Sequence, residues 1–228
     1  MDRKNFLKNG LLSMGTIVAI PTILSSCKKD SETSSTPYDP NACVTSPRET
    51  AGPFPIKTPA QLIRENIVGN RSGIPLLINL TIQNTNSGCS PLSNALVDIW
   101  HCDAQGNYSE YDGQLDGNFT NEHFLRGRQT SDVNGNVSFI SIFPGWYPGR
   151  TPHIHLEVKD SNGKSLLVTQ ISWDINISNT VYNTNNYNGN ADTNNSNDGI
   201  VSDANLADSL TGDVTNGYTL TKNIKVAG

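Results

Sequence analysis

Leu76-Leu77-Ile78-Asn79-Leu80-Thr81-Ile82-Gln83 is the stretch that decides the fold class. Leu76, Ile78, Leu80 and Ile82 recur at every second position, the period at which an extended chain turns successive side chains to opposite faces. One face is apolar and the other is not, which predicts a half-buried strand. Working outward, similar short apolar runs occupy 95–100, 137–143, 153–158, 166–172 and 218–226. Turn clusters such as Asp132-Val133-Asn134-Gly135 and Asp160-Ser161-Asn162-Gly163 separate them. Many short strands with frequent turns predict an all-β, single-domain antiparallel β-sandwich with long loops and little helix. Only 59–65 and 203–210 offer a turn or two of helix. The Asn-rich stretch 176–197 has almost no aliphatic side chain and reads as a long surface loop.

The chain has 228 residues, 16% charged and 35% hydrophobic, enough for one globular domain plus ends that need not fold. A formal charge of -5 without a basic stripe argues against nucleic acid as a partner. At the N-terminus, Arg3, Lys4 and Lys8 precede the apolar run from Leu11 to Ile20, which is too short to span a bilayer. That run leads to Leu24-Ser25-Ser26-Cys27, which resembles a bacterial lipobox. The expectation is a lipoprotein signal peptide over 1–26, a lipidated Cys27 and flexible tether over 27–42, and the folded domain over 43–228. The protein would then be exported and lipid-anchored to a bacterial membrane, on the periplasmic side or the cell surface, touching it only through the lipid on Cys27. Asp2-Arg3-Lys4-Asn5-Phe6-Leu7-Lys8 also looks like a twin-arginine export signal in which Lys4 replaces the second Arg, so the export route stays open. Of the remaining cysteines, spacing alone permits any pair. The favoured one in an oxidising compartment is Cys43 with Cys89, stapling the start of the domain to the turn at 86–91 and leaving Cys102 free and buried.

Chemistry concentrates in Pro144-Gly145-Trp146-Tyr147-Pro148-Gly149-Arg150-Thr151-Pro152-His153-Ile154-His155. If the strand begins near His153, both imidazoles share one face while Ile154, Leu156 and Val158 share the other. A His-x-His pair alone is weak evidence for a metal, because hydrogen-bonded histidines give the same pattern. Two tyrosines strengthen it: Tyr147 lies in the stiff turn before the pair, and Tyr108 follows Gly106-Asn107 beyond the run 95–100. Either tyrosine alone is as readily a packed ring with a bonded hydroxyl. Together, two imidazoles and two phenols select a hard, highly charged cation, because binding must displace a phenol proton that normally leaves near pH ~10. Ferric iron matches, since two phenolates and a hydroxide offset its charge. Zinc sites favour Cys, His and carboxylate, and ferrous oxygenases favour two His and a carboxylate.

Four segments together carry a family resemblance. Leu96-Val97-Asp98-Ile99-Trp100-His101-Cys102-Asp103-Ala104-Gln105-Gly106-Asn107-Tyr108, Phe124-Leu125-Arg126-Gly127, and the turn from Phe143 to His155 resemble the intradiol ring-cleavage dioxygenases, and Glu49-Thr50-Ala51-Gly52-Pro53-Phe54 resembles a segment near the start of their domain. The resemblance implies a non-haem Fe(III) enzyme that cleaves a catechol-type ring between its hydroxylated carbons with O2, giving a cis,cis-muconate-type diacid. It implies Tyr108 and His153 as equatorial ligands, Tyr147 and His155 as axial ones, and Tyr147 as a base that leaves the iron when substrate arrives. It places Arg150 and Gln170 on the family's active-site arginine and glutamine. His101 and His123 match no ligand position and read as structural, and Trp100 and Trp146 read as packing around the site. The rival readings are a non-catalytic cell-surface β-sandwich binding module and a divalent-metal hydrolase. Neither the ring substituents of the substrate nor the oligomeric state is written in these motifs.

Overall fold

In the computed structural model of the chain, residues 38, 39 and 41–228 are described. The expected signal peptide, Cys27 and most of the expected tether lie outside the described residues. The period-2 run forms β1, Pro75–Asn84, and its Leu76, Ile78, Leu80 and Ile82 are each at most 1% exposed. The other strands follow in order: β2 Ser90–Pro91, β3 Leu96–Trp100, β4 Arg126–Thr130, β5 Asn136–Ile142, β6 Ile154–Lys159, β7 Ser165–Ile171, β8 Ser209–Asp213 and β9 Gly217–Val226.

They make two sheets. In the five-stranded one, β1 pairs with β9 along one edge and with β5 and then β2 along the other, and β8 lies outside β9. The four-stranded sheet runs β4-β3-β6-β7 and is antiparallel throughout. The core lies between them: Leu76, Ile78 and Leu80 with Val97, Ile99, Ile154, Leu156, Val158, Leu167, Phe139 and Leu220. The expected sandwich is borne out, with one departure. β1 and β9 pair in parallel, Leu76 opposite Tyr218, because they stand at opposite ends of the sequence and no hairpin fixes their direction.

Several local expectations give way. The start of the supposed Asn-rich loop region forms a helix, α1 Ile175–Tyr182, which begins one residue before that stretch. Asp174 starts it by accepting a hydrogen bond from the Asn176 amide, and burial of Ser178, Val181 and Tyr182 offsets the poor helix propensity of Asn and Thr. The candidate helices at 59–65 and 203–210 shrink to single 3-10 turns, Pro59–Gln61 and Asp203–Asn205, and the end of the second belongs to β8. The cysteines fall as favoured: Cys43 and Cys89 are bonded, with Cα atoms 5.7 Å apart, and Cys102 is free and buried.

Candidate metal centre

The outward face of the four-stranded sheet is unusually buried at one end. Register sets Arg126 opposite Trp100, Trp100 opposite His155, and His155 opposite Gln170, so these four side chains form one row across β4, β3, β6 and β7. This follows from the alternation that turns Ile99 and Leu156 into the core. The Trp100 indole lies flat against His155, centroids 5.1 Å apart with 3° between planes, which fixes the imidazole on one side.

Loops bring the rest of the donors to this row. His153 stands just before β6, and its Nε2 is 3.1 Å from His155 Nε2. The Gly/Pro turn folds Tyr147 back until its hydroxyl is 3.2 Å from the same His153 nitrogen. Tyr108 arrives from the turn after β3, its ring edge-on to Tyr147 at 5.8 Å and 6.3 Å from that of His155. Gly106 makes this possible: its φ is +92, and a Cβ there would meet the Trp146 carbonyl oxygen at 2.3 Å, so only glycine lets the two tyrosine-bearing loops touch.

The protonation of these groups suits a cation. His153 Nδ1 is 2.7 Å from the Thr151 carbonyl oxygen, which can only accept, so the proton sits on Nδ1 and Nε2 keeps its lone pair. Burial, helped by the charge of Arg150, holds His153 down at about 4, and burial takes His155 well below the usual imidazole range. Both rings are therefore neutral at neutral pH. Burial also pushes the Tyr147 phenol up to about 12 against the pull of Arg150, and raises Tyr108 well above its usual value. Neither phenol ionises near neutrality unless a cation takes the proton's place.

Three buried atoms lack partners here, the Tyr108 hydroxyl, His155 Nδ1 and Trp100 Nε1. An unsatisfied buried polar group costs about 1–3 kcal/mol, which coordination of the hydroxyl oxygen would remove. Among the described residues no cluster of three His, Cys, Asp or Glu could hold a metal, so a metal site in this fold needs the phenols. Donor edges of 3.1 and 3.2 Å are those expected of ligands at right angles with bonds of about 2.1 Å to a first-row metal. The donor chemistry of these residues fits a hard cation such as ferric iron.

Arg150 and Gln170 meet beside this cluster. Arg150 Nη2 donates to Gln170 Oε1 at 2.6 Å, its Nη1 lies 3.4 Å from the Tyr147 hydroxyl, and Gln170 Nε2 donates to the Thr50 carbonyl at 3.0 Å. What holds Arg150 was not visible in the sequence. Asp198, the residue directly after the supposed loop region, accepts from Arg150 Nε at 2.8 Å and from the Thr151 amide at 2.9 Å. Asp192 takes the Gly149 amide, and Asn195 takes the Thr151 hydroxyl. The Asn-rich stretch is thus the backing of the turn that carries Tyr147 and Arg150, and the only signal for it was its length. His101 is committed to the Cys102 carbonyl at 2.8 Å and the Ser141 hydroxyl at 2.7 Å, and His123 to Glu110 at 2.9 Å.

Two expected results follow from these contacts. Gly52, at φ +70, lies against His155: a Cβ would stand 2.7 Å from Cε1 and 3.0 Å from Nε2. Gly52→Ala should therefore weaken metal retention at least about tenfold by displacing the imidazole, besides about 1 kcal/mol of backbone strain. Metal content after dialysis, set against unfolding temperature, separates the two effects. The second concerns Asp198. Burial alone would raise its carboxyl, but the bonds from Arg150, Thr151, Val201 and Ile200 outweigh it and hold the group at about 2, below the usual 3.8. A depressed carboxyl stabilises the fold above its unfolded value, so about 2 kcal/mol should be lost as pH falls from about 4 to about 2. Denaturant midpoints across that window should show the slope, and Asp198→Asn should flatten it.

Known proteins resemble this chain in sequence and in fold. The Dioxygenase family model matches residues 52–183. The protocatechuate 3,4-dioxygenase beta chain of Burkholderia cepacia is 32% identical over 120 residues, 48% of this chain and 49% of that one, so the match spans about half the length of that relative. The chlorocatechol 1,2-dioxygenase of Rhodococcus opacus is 28% identical over 36% of this chain and 37% of its own. Among solved structures, the intradiol ring-cleavage dioxygenase of Tetranychus urticae superposes with a TM-score of 0.71 at 30% identity, over 81% of this chain and 95% of that one. With the family model covering more than half of the sequence, the chain belongs to the intradiol ring-cleavage dioxygenase family.

Proposed function

We propose that this domain is a non-haem Fe(III) dioxygenase that opens a catechol-type ring between its two hydroxylated carbons with O2, giving a cis,cis-muconate-type diacid that carries both oxygen atoms. One observation supports it most: two neutral imidazoles and two phenols pack ring against ring at one buried point, with their nearest donor atoms 3.1 and 3.2 Å apart. Tyr108, Tyr147, His153 and His155 would hold the ion. Ferric iron supplies a Lewis acid that draws electron density from a catecholate and so makes a ring carbon reactive toward O2.

The chain's own residues do the rest. Tyr147 is the less buried of the two phenols and lies within reach of Arg150, so its Oη, once a bound cation has displaced its proton, is the group suited to take a proton from a substrate hydroxyl. Arg150 and Gln170, already locked to each other, present donors to the negative charge that develops on the ring without having to reorganise. Phe54 and Trp100 surround the cluster with apolar surface, which keeps these interactions strong by excluding water. The N-terminal pattern supports an exported, lipid-anchored protein that meets its substrate outside the cytoplasm.

The test is O2 consumption by iron-loaded protein over a panel of catechols, with the product identified by mass. One O2 should be taken up per ring opened, and a catechol should change the colour of the protein. An iron-loaded sample that consumes no O2 with any catechol would sink the reading.

A further inference from the structure

Arg126 is 0% exposed, a costly position for a permanent cation, and the site as read above gives it no task. It stands at the β4 end of the row that holds His155 and Gln170. Its bonds do not go mainly to the nearest carboxylate. Glu110 Oε2 is 3.6 Å away, and the Glu110 side chain already accepts from the Lys57 amide at 2.7 Å and contacts His123 at 2.9 Å. The guanidinium instead donates from Nη2 to the Ser109 carbonyl at 2.6 Å, from Nε to the Ser109 hydroxyl at 2.9 Å, and from Nη1 to the Phe54 carbonyl at 3.0 Å.

Both recipients touch Tyr108. Ser109 follows it in the chain, and the Phe54 ring packs on the Tyr108 ring with centroids 5.1 Å apart. The Tyr108 hydroxyl has no hydrogen bond to orient it, so ring packing and backbone placement must do so. The guanidinium carbon itself lies 5.8 Å from the Tyr108 ring centroid.

We propose that Arg126 is a positioning residue for Tyr108: its planar fork fixes the Ser109 backbone and the Phe54 segment around that phenol, and its charge faces the ring. A lysine supplies the charge but not a rigid three-way fork. The inference rests on the reading of Tyr108 as a ligand of ferric iron.

The readout is the visible absorption of the iron-loaded protein, in which an electron moves from phenolate to metal. A cation beside the phenolate holds that electron more tightly, so removing it lowers the transition energy. Arg126→Met should move the band to longer wavelength and reduce iron content. Arg126→Lys should keep the band closer to the parent position yet lose roughly tenfold to a hundredfold in turnover per bound iron, as a misplaced supporting group does. Ser109→Ala, which frees one arm of the fork and leaves the charge, carries the test if Arg126→Met does not fold, and it too should shift the band. Bands for Arg126→Lys and Ser109→Ala that superimpose on the parent at equal iron content, with unchanged turnover, would overturn the inference. Parent protein that binds iron without any visible phenolate band would overturn the ferric reading itself.

Discussion

Tyr108→Phe should yield a protein that is more stable than its parent without metal and inert with it. The hydroxyl is the only atom removed, it has no hydrogen-bond partner, and its residue is 1% exposed. Removing an unsatisfied buried hydroxyl relieves a desolvation penalty, so the metal-free fold should gain about 1 kcal/mol. The same oxygen is one of two anionic donors proposed to offset ferric charge. Without it iron should not be retained, and turnover should fall by roughly three orders of magnitude or more. Urea unfolding of the metal-free proteins and iron content after dialysis measure the two halves. A variant that is less stable and still holds one iron per chain would contradict both the ligand role and the reading of the hydroxyl as unsatisfied. A side chain that lowers stability in the empty fold and is needed only when a cation arrives is the usual mark of a functional position.

Arg150→Ala should separate binding from chemistry. Its guanidinium contacts Gln170 and Asp198 strongly and the Tyr147 hydroxyl only at 3.4 Å, so the four donors do not depend on it for placement. Iron content and the colour change with catechol should survive, while turnover drops roughly a hundredfold to a thousandfold, the range for losing one preorganised donor to developing charge. The truncation also strands Asp198, and a buried carboxylate without its partner should cost a few kcal/mol. Arg150→Ala with Asp198→Asn should therefore restore stability and not turnover, as judged by unfolding temperature and O2 uptake on the same samples. Wild-type turnover in either variant would remove Arg150 from the mechanism.

The legible part of the fold was the part whose burial is one-sided and apolar. Leu76 to Ile82 and Ile154 to Val158 announce their inward faces, and both became strands within a residue or two of the expected limits. β4 was illegible because its charged side chains are withdrawn from solvent: Arg126 is fully buried, half-buried Arg128 pairs with Asp98, and Gly127 presses on Ile67 with no room for a Cβ. Neither apolar alternation nor solvent-facing polarity is left for a pattern to detect. Helix α1 was hidden by Asn and Thr, whose local preference is against helix until Val181 and Tyr182 find the core. In the site, the four donors were readable as residue types in ordered motifs. Their support was not, because Asp198 reaches Arg150 across 48 positions of sequence. The conformation of the intervening stretch carries no periodicity, so nothing short of the folded chain brings those two charges together.

The row of Arg126, Trp100, His155 and Gln170 has a consequence for the order of events in the life of the molecule. Each member comes from a different strand, so no hairpin or excised peptide contains the site, and a slip of one residue between β3 and β6 would turn His155 into the core and Ile154 out to the loops. With the proposed ligand set, iron capture would be a checkpoint that only a fully registered sheet passes. The proportion of chains able to take up the metal becomes a count of correctly assembled molecules, and loading must come last, in whichever compartment the sheet is completed.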